Sequence, residues 1–102
     1  MKTKYEIEKV LVLSTGHITE KDAGTLDKII DEVQPGPIVY GFPYGYYIYV
    51  GSEVKEKIKD AKKAGLSKYF CNLFAIAHSL NCQYIKLDAD GPAMDNLPLF
   101  NW

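Results

Sequence analysis

The sequence predicts a single small α/β domain, with α+β as the neighbouring class, and three observations carry that expectation. Strand-like and helix-like stretches follow one another in the order β-α-β-β-α-α-β, with no repeat, linker or low-complexity tract. A length of 102 residues suits one domain spanning 1–102, and 47% apolar with 13% aromatic residues is enough for a hydrophobic core. Proline and glycine at 35–37, 43–45 and 91–92 punctuate the chain where the periodicity changes.

The elements follow in order. Val10-Leu11-Val12-Leu13 is a continuous apolar run and reads as a strand buried on both faces, central in its sheet. Thr19 caps a helix with Glu20 and Asp22 in its first turn, and Ala23, Leu26, Ile29, Ile30 and Val33 fall on one face. Pro35-Gly36-Pro37 stops it. Residues 38–42 and 46–50 are rich in β-branched and aromatic residues. Pro43-Tyr44-Gly45 between them suits a hairpin with Gly45 at a positive φ.

Ser52 reads as the next N-cap, before a narrow stripe of Val54, Ile58 and Ala61 among lysines. A straight helix from Glu53 to Leu80 would run about 42 Å, longer than such a domain is wide, so two helices with a turn at Gly65 are expected. Ser67 caps the second, whose buried face holds Tyr69, Phe70, Leu73, Phe74, Ile76, Ala77 and Leu80. Asn81 ends it in a left-handed conformation, and residues 84–87 form the last strand before an acidic loop, Asp88-Ala89-Asp90-Gly91-Pro92. The tail, Leu97-Pro98-Leu99-Phe100-Asn101-Trp102, is too apolar to remain free of the core.

The helix count decides where function can sit. With one crossover helix the chain matches a ferredoxin-like domain, and the last strand opposes the first. With a helical hairpin the last strand runs parallel to the first in a mixed four-stranded sheet. Ser14, Thr15, His17, Asp88 and Asp90 then share the carboxyl ends of the strands, where open α/β sheets bind ligands. The second arrangement is the one expected.

Composition excludes several classes. A net charge of −1 lacks the basic footprint of a nucleic-acid binder. The two cysteines, Cys71 and Cys82, have neither metal-ligand spacing nor a secreted disulfide pattern. The charged start and the lack of a spanning apolar run predict a cytoplasmic protein with no membrane association.

Asp88-Ala89-Asp90-Gly91 resembles the first motif of haloacid-dehalogenase phosphatases and the Asp-x-Asp of nucleotide-sugar glycosyltransferases. The chain after Gly91 is too short for the first, and the whole chain is too small for the second. An EF-hand is excluded by the missing later ligands. What remains is a carboxylate pair, Asp88 and Asp90, able to hold Mg²⁺ or Ca²⁺ with waters, or else a plain chain reversal at Asp90-Gly91; no cofactor is expected. His17, between a strand and a helix N-terminus, suits anion contact or general base work, or a hydrogen bond within its own loop. Ser14 and Thr15 become nucleophiles only with a base in reach. His78 reads as a surface or boundary residue, and Lys55, Lys59 and Lys62 as a solvated face.

Tyr44-Gly45-Tyr46-Tyr47-Ile48-Tyr49-Val50 resembles the aromatic strand of RNA-recognition motifs, but no basic residue flanks Gly45 and the first strand lacks an aromatic partner. Alternation puts Tyr47 and Tyr49 on the face opposite Tyr46, Ile48 and Val50, where they suit a protein interface or stacked bases. Tyr44 and Trp102 join them as candidate partner contacts.

Leu13-Ser14-Thr15-Gly16-His17-Ile18-Thr19, Tyr47-Ile48-Tyr49-Val50, Leu87-Asp88-Ala89-Asp90-Gly91-Pro92 and the tail from Leu97 to Trp102 together resemble a family of small domains of unknown function. The resemblance implies a bacterial, plasmid or phage setting, in which small proteins act by binding and disabling a host or rival protein. It implies no activity and no catalytic residues.

The leading expectation is a binding protein with a protein partner, which can include a second copy of the chain, acting on a host or defence function. A small-ligand or hydrolytic site for a phosphate or nucleotide at Ser14, Thr15, His17, Asp88 and Asp90 is the alternative. Single-stranded nucleic acid on Tyr47 and Tyr49 is the third.

Overall fold

Apolar side chains at alternate positions of four short segments point to one side, and the sheet they build sets the architecture. A computed structural model describes residues 4–102. The strands are β1 (Val10–Ser14), β2 (Val39–Phe42), β3 (Gly45–Tyr49) and β4 (Tyr84–Asp88), in the order β1-β4-β3-β2. β1 and β4 are parallel, with Leu13 opposite Leu87 and Ser14 opposite Asp88. β4 and β3, and β3 and β2, are antiparallel. The helices are α1 (Glu20–Asp31), α2 (Val54–Lys63) and α3 (Lys68–Ser79). α2 and α3 form the helical hairpin that reverses the chain between β3 and β4, which makes β4 parallel to β1 and distinguishes the fold from a ferredoxin-like domain. Gly65, at φ +90°, makes the turn between them, and Asn81, at φ 58°, ends α3.

The core lies on one side of the sheet. Leu13, Ile48, Ile85 and Leu87 meet Leu26 and Ile29 of α1 and Phe70, Leu73, Phe74 and Ala77 of α3. α2 contributes chiefly Ala61, as its narrow apolar stripe requires. Among the described residues, no helix covers the opposite face of the sheet, and no helix is long and apolar enough to cross a membrane.

A buried carboxylate ties the helices together. Thr19 accepts from the Asp22 N–H at 3.0 Å and the Thr19 N–H donates to Asp22 Oδ2 at 3.1 Å, a reciprocal cap on α1. Asp22 is 1% exposed, and it also accepts from the Ser67 N–H at 2.8 Å and the Ser67 hydroxyl at 2.6 Å. Ser67 in turn accepts from the Phe70 N–H and caps α3. One carboxylate thus sits at the positive ends of two helices, where both the dipoles and the charge-assisted bonds favour it.

Five expectations are corrected. Leu80 is not part of the buried face of α3; it follows the last helical residue and is 49% exposed. β1 is an edge strand, not a central one. Leu11 and Leu13 face the core, while Val10 and Val12 are 41% and 40% exposed on the other side. α1 ends at Asp31, and Val33 lies beyond it, exposed and at φ 51°, because the approach to Pro35 leaves no room for a further turn. Ser52 does not cap α2; Glu53 holds that position, with no side-chain hydrogen bond.

Gly45, finally, is not a positive-φ residue. Phe42 pairs directly with Gly45, the loop is Pro43-Tyr44, and a Cβ on Gly45 would overlap the Leu87 carbonyl oxygen. Glycine is needed there for strand approach, not for turn conformation.

That distinction predicts opposite results at two glycines. Gly24→Ala, inside α1 with open space around it, stabilises the domain by about 0.5–1 kcal/mol. Gly45→Ala forces β3 from β4 and costs about 3 kcal/mol or more. Urea denaturation of both variants checks this, and a tolerated Gly45→Ala contradicts the register at that strand end.

Candidate functional site

The strand-end loops do come together, because β1 and β4 run parallel, but the side chains of Ser14, His17 and Asp88 are spent on holding the chain. Ser14 Oγ accepts from the Gly16 N–H, and the Ser14 N–H donates to the Pro92 carbonyl at 2.9 Å. Asp88 Oδ1 accepts from the Asp90 N–H at 2.9 Å and Asp88 Oδ2 lies 3.5 Å from Lys86, so this carboxylate shapes its turn. Asp90 is exposed. No cluster of metal-ligating side chains occurs among the described residues.

His17 is 2% exposed, and both its ring nitrogens are engaged by the tail. Nδ1–H donates to the Pro98 carbonyl at 2.8 Å, and Nε2 accepts from the Met94 N–H at 2.9 Å, an arrangement that requires the neutral Nδ1–H tautomer. No ring nitrogen is left to serve as a base.

The short motifs of the sequence are therefore each other's partners. A Cβ on Gly91 would press on the Leu13 carbonyl oxygen, and one on Gly16 would press on Leu99. The Phe100 N–H donates to the Gly16 carbonyl at 2.7 Å, and the Trp102 indole N–H donates to the Ile18 carbonyl at 2.9 Å. Phe100 meets Tyr69 of α3 edge-on, 4.9 Å between ring centres.

Besides a smaller cleft of about 320 Å³ that His17 lines with Tyr69, Leu73, Leu97 and Pro98, two surfaces bear on the predicted residues. The first is a cleft of about 570 Å³ at the carboxyl ends of β1 and β4, between α1 and the β2–β3 turn. Of the sequence-predicted residues it gathers Thr15, Tyr44 and Trp102, while Ser14, His17, Asp88 and Asp90 do not line it. It also holds Asp27, Asp31 and Tyr46, which the sequence reading missed as site residues. The Tyr46 hydroxyl donates to Asp27 Oδ1 at 2.7 Å, and burial, this bond and the nearby Asp27 and Asp31 charges push its phenol well above the ordinary value.

The second is the uncovered face of the sheet. Tyr47 and Tyr49 lie there as alternation predicted, with Tyr40, Phe42, Tyr84, Val10 and Val12 beside them. Phe42 and Tyr47 are 5.5 Å apart between ring centres, and Tyr49 and Tyr84 5.4 Å. Lys86 stands between strands with its ammonium 5.5 Å from the Phe42 ring centre, 5.6 Å from that of Tyr47 and 3.5 Å from Asp88. Tyr40, Phe42, Tyr84 and Lys86 escaped the sequence reading, although the period of two in 38–42 and 84–88 carries the signal.

The engagement of His17 gives a testable outcome. His17→Ala leaves the Met94 N–H and the Pro98 carbonyl without partners and costs about 2–4 kcal/mol, chiefly by releasing the tail. The emission of Trp102, the sole tryptophan, shifts to the red, and limited proteolysis cuts beyond residue 92 while the sheet persists. Unchanged emission and protease resistance would contradict the role given to His17.

Comparison with known proteins returns one family and little else. The model for the C-terminal domain of a family of unknown function, DUF5983, matches residues 10–102, the stretch from the first residue of β1 to the end of the tail. No curated protein and no solved structure matches the chain. The matched stretch takes in every strand and helix and all of the interlocking motifs: the chain belongs to the DUF5983 family, whose function is unknown, through its C-terminal domain.

Proposed function

We propose that the domain works by binding a protein partner, with the uncovered sheet face as its docking surface. The observation that carries this is the continuous aromatic and aliphatic surface of Tyr40, Phe42, Tyr47, Tyr49, Tyr84, Val10 and Val12 on all four strands, over which no helix lies among the described residues. Rigid tyrosines offer large contact area at small entropic cost, and their hydroxyls keep the face wet when free.

Charge favours a protein over nucleic acid. Lys86 is the single cation among the strand residues of the face and Asp88 offsets it, and Lys57 of α2 stands over the Tyr49 ring at one edge; among the described residues this is too little basic charge to track a phosphate backbone. The complementary partner surface is apolar at its centre, with hydrogen-bond acceptors for the phenols at its rim. The bacterial, plasmid and phage setting implied by the sequence resemblance makes a host or defence protein the partner to seek, held inactive in the complex.

The test compares the wild type with a Tyr47→Thr/Tyr49→Thr double variant, which keeps β-propensity and removes the rings. Both are immobilised in bacterial lysate, and retained proteins are identified by mass spectrometry and then measured as purified pairs. The wild type retains one specific protein, and the variant, with an unchanged melting point, binds it at least about thirtyfold more weakly. Equal binding by both contradicts the proposal. Sedimentation showing that the same variant dissociates a dimer would instead assign the face to a second copy.

A further inference from the structure

The cleft beside the β2–β3 turn has a chemistry of its own. Its walls are aromatic, from Phe42, Tyr44, Tyr46 and Trp102, and its floor along α1 carries Asp27 and Asp31, one helical turn apart. Among the described residues no lysine or arginine lines it, and neither aspartate has an ion-pair partner. The geometry is held from several sides. Tyr46 fixes Asp27 through one carboxylate oxygen, and the indole N–H bond to Ile18 anchors Trp102 by its edge while the residue stays 51% exposed.

We infer that this cleft takes an arginine side chain presented by a peptide or protein. A guanidinium is flat, weakly hydrated and rich in donors, so it can stack on an indole or phenol ring while donating to carboxylates alongside. The two unneutralised carboxylates repel a phosphate or nucleotide, so the cleft beside Thr15 favours a cation and not the anionic ligand expected at the strand ends. The site stands apart from the sheet-face reading, sharing only Phe42 with that surface.

Trp102 makes the test direct, because the sole tryptophan lines the cleft. Acetyl-Gly-Arg-Gly-amide and its citrulline counterpart, equal in shape but uncharged, are titrated into the wild type, Asp31→Asn, and Asp27→Asn/Asp31→Asn while Trp102 emission is followed. Both aspartates are exposed, and asparagine at 27 still offers Tyr46 an acceptor, so circular dichroism is expected to be unchanged. The arginine peptide gives a saturable change that weakens about fivefold in Asp31→Asn, the scale of one exposed ion pair, and vanishes in the double variant. The citrulline peptide gives none. A wild type silent to the arginine peptide at its highest soluble concentration, an equal response to citrulline, or full binding by the double variant each overturns the assignment.

Discussion

The structure depends on a single buried carboxylate at the point where two helices begin. Asp22 closes the cap of α1 through Thr19 and accepts two hydrogen bonds from Ser67, the cap of α3. Burying a carboxylate costs several kcal/mol, and three accepted bonds together with two helix N-termini offset that cost only in this geometry. Once α1 and α3 are joined in this way they must lie on the same side of the sheet. Leu13, Ile48, Ile85 and Leu87 are then buried beneath them, and the residues between these in sequence are turned outward. The uncovered aromatic face is thus a consequence of where the helices are fastened.

The C-terminal tail is the second fastening, and it changes the meaning of the motifs. Short polar segments at the carboxyl ends of parallel strands ordinarily suggest ligand chemistry. Here Ser14, Gly16, His17 and Ile18 serve Pro92, Phe100, Met94, Pro98 and Trp102, while Gly91 lets the backbone approach Leu13 and Gly16 makes room for the Leu99 side chain. What these motifs share is mutual contact. The surfaces proposed for partners are the sheet face and the cleft to which these motifs lend Thr15, Ala89 and Trp102.

Much of this was legible in the sequence, for identifiable reasons. The length of 53–80 forced a helical hairpin, and the hairpin determined the direction of β4 and so the meeting of residues 13–18 with 88–92. Thr19, Ser67 and Asn81 announced their caps by residue type alone. Tyr47 and Tyr49 were placed on the outer face by alternation. Other features were hidden because they depend on distant contacts. Val10 to Leu13 looks buried on both faces because the outer face is apolar even though, among the described residues, no helix covers it. Gly45 looks like a turn residue, but its need for a bare Cα comes from Leu87, far along the chain. His17 reads as a base until the tail is seen to occupy both its nitrogens, and the carboxylate of Asp22 was read only as a first-turn charge because Ser67 is 45 residues away.

The coupling between Asp22 and Ser67 is the claim on which this account stands, and a double-mutant cycle measures it. Unfolding free energies of the wild type, Asp22→Ala, Ser67→Ala and the double variant are predicted to give an interaction energy of about 1.5–3 kcal/mol, the range of hydrogen bonds to a buried charge. Single-variant losses that simply add, to within about 0.5 kcal/mol, would contradict it and show that packing alone holds the helices on one side of the sheet.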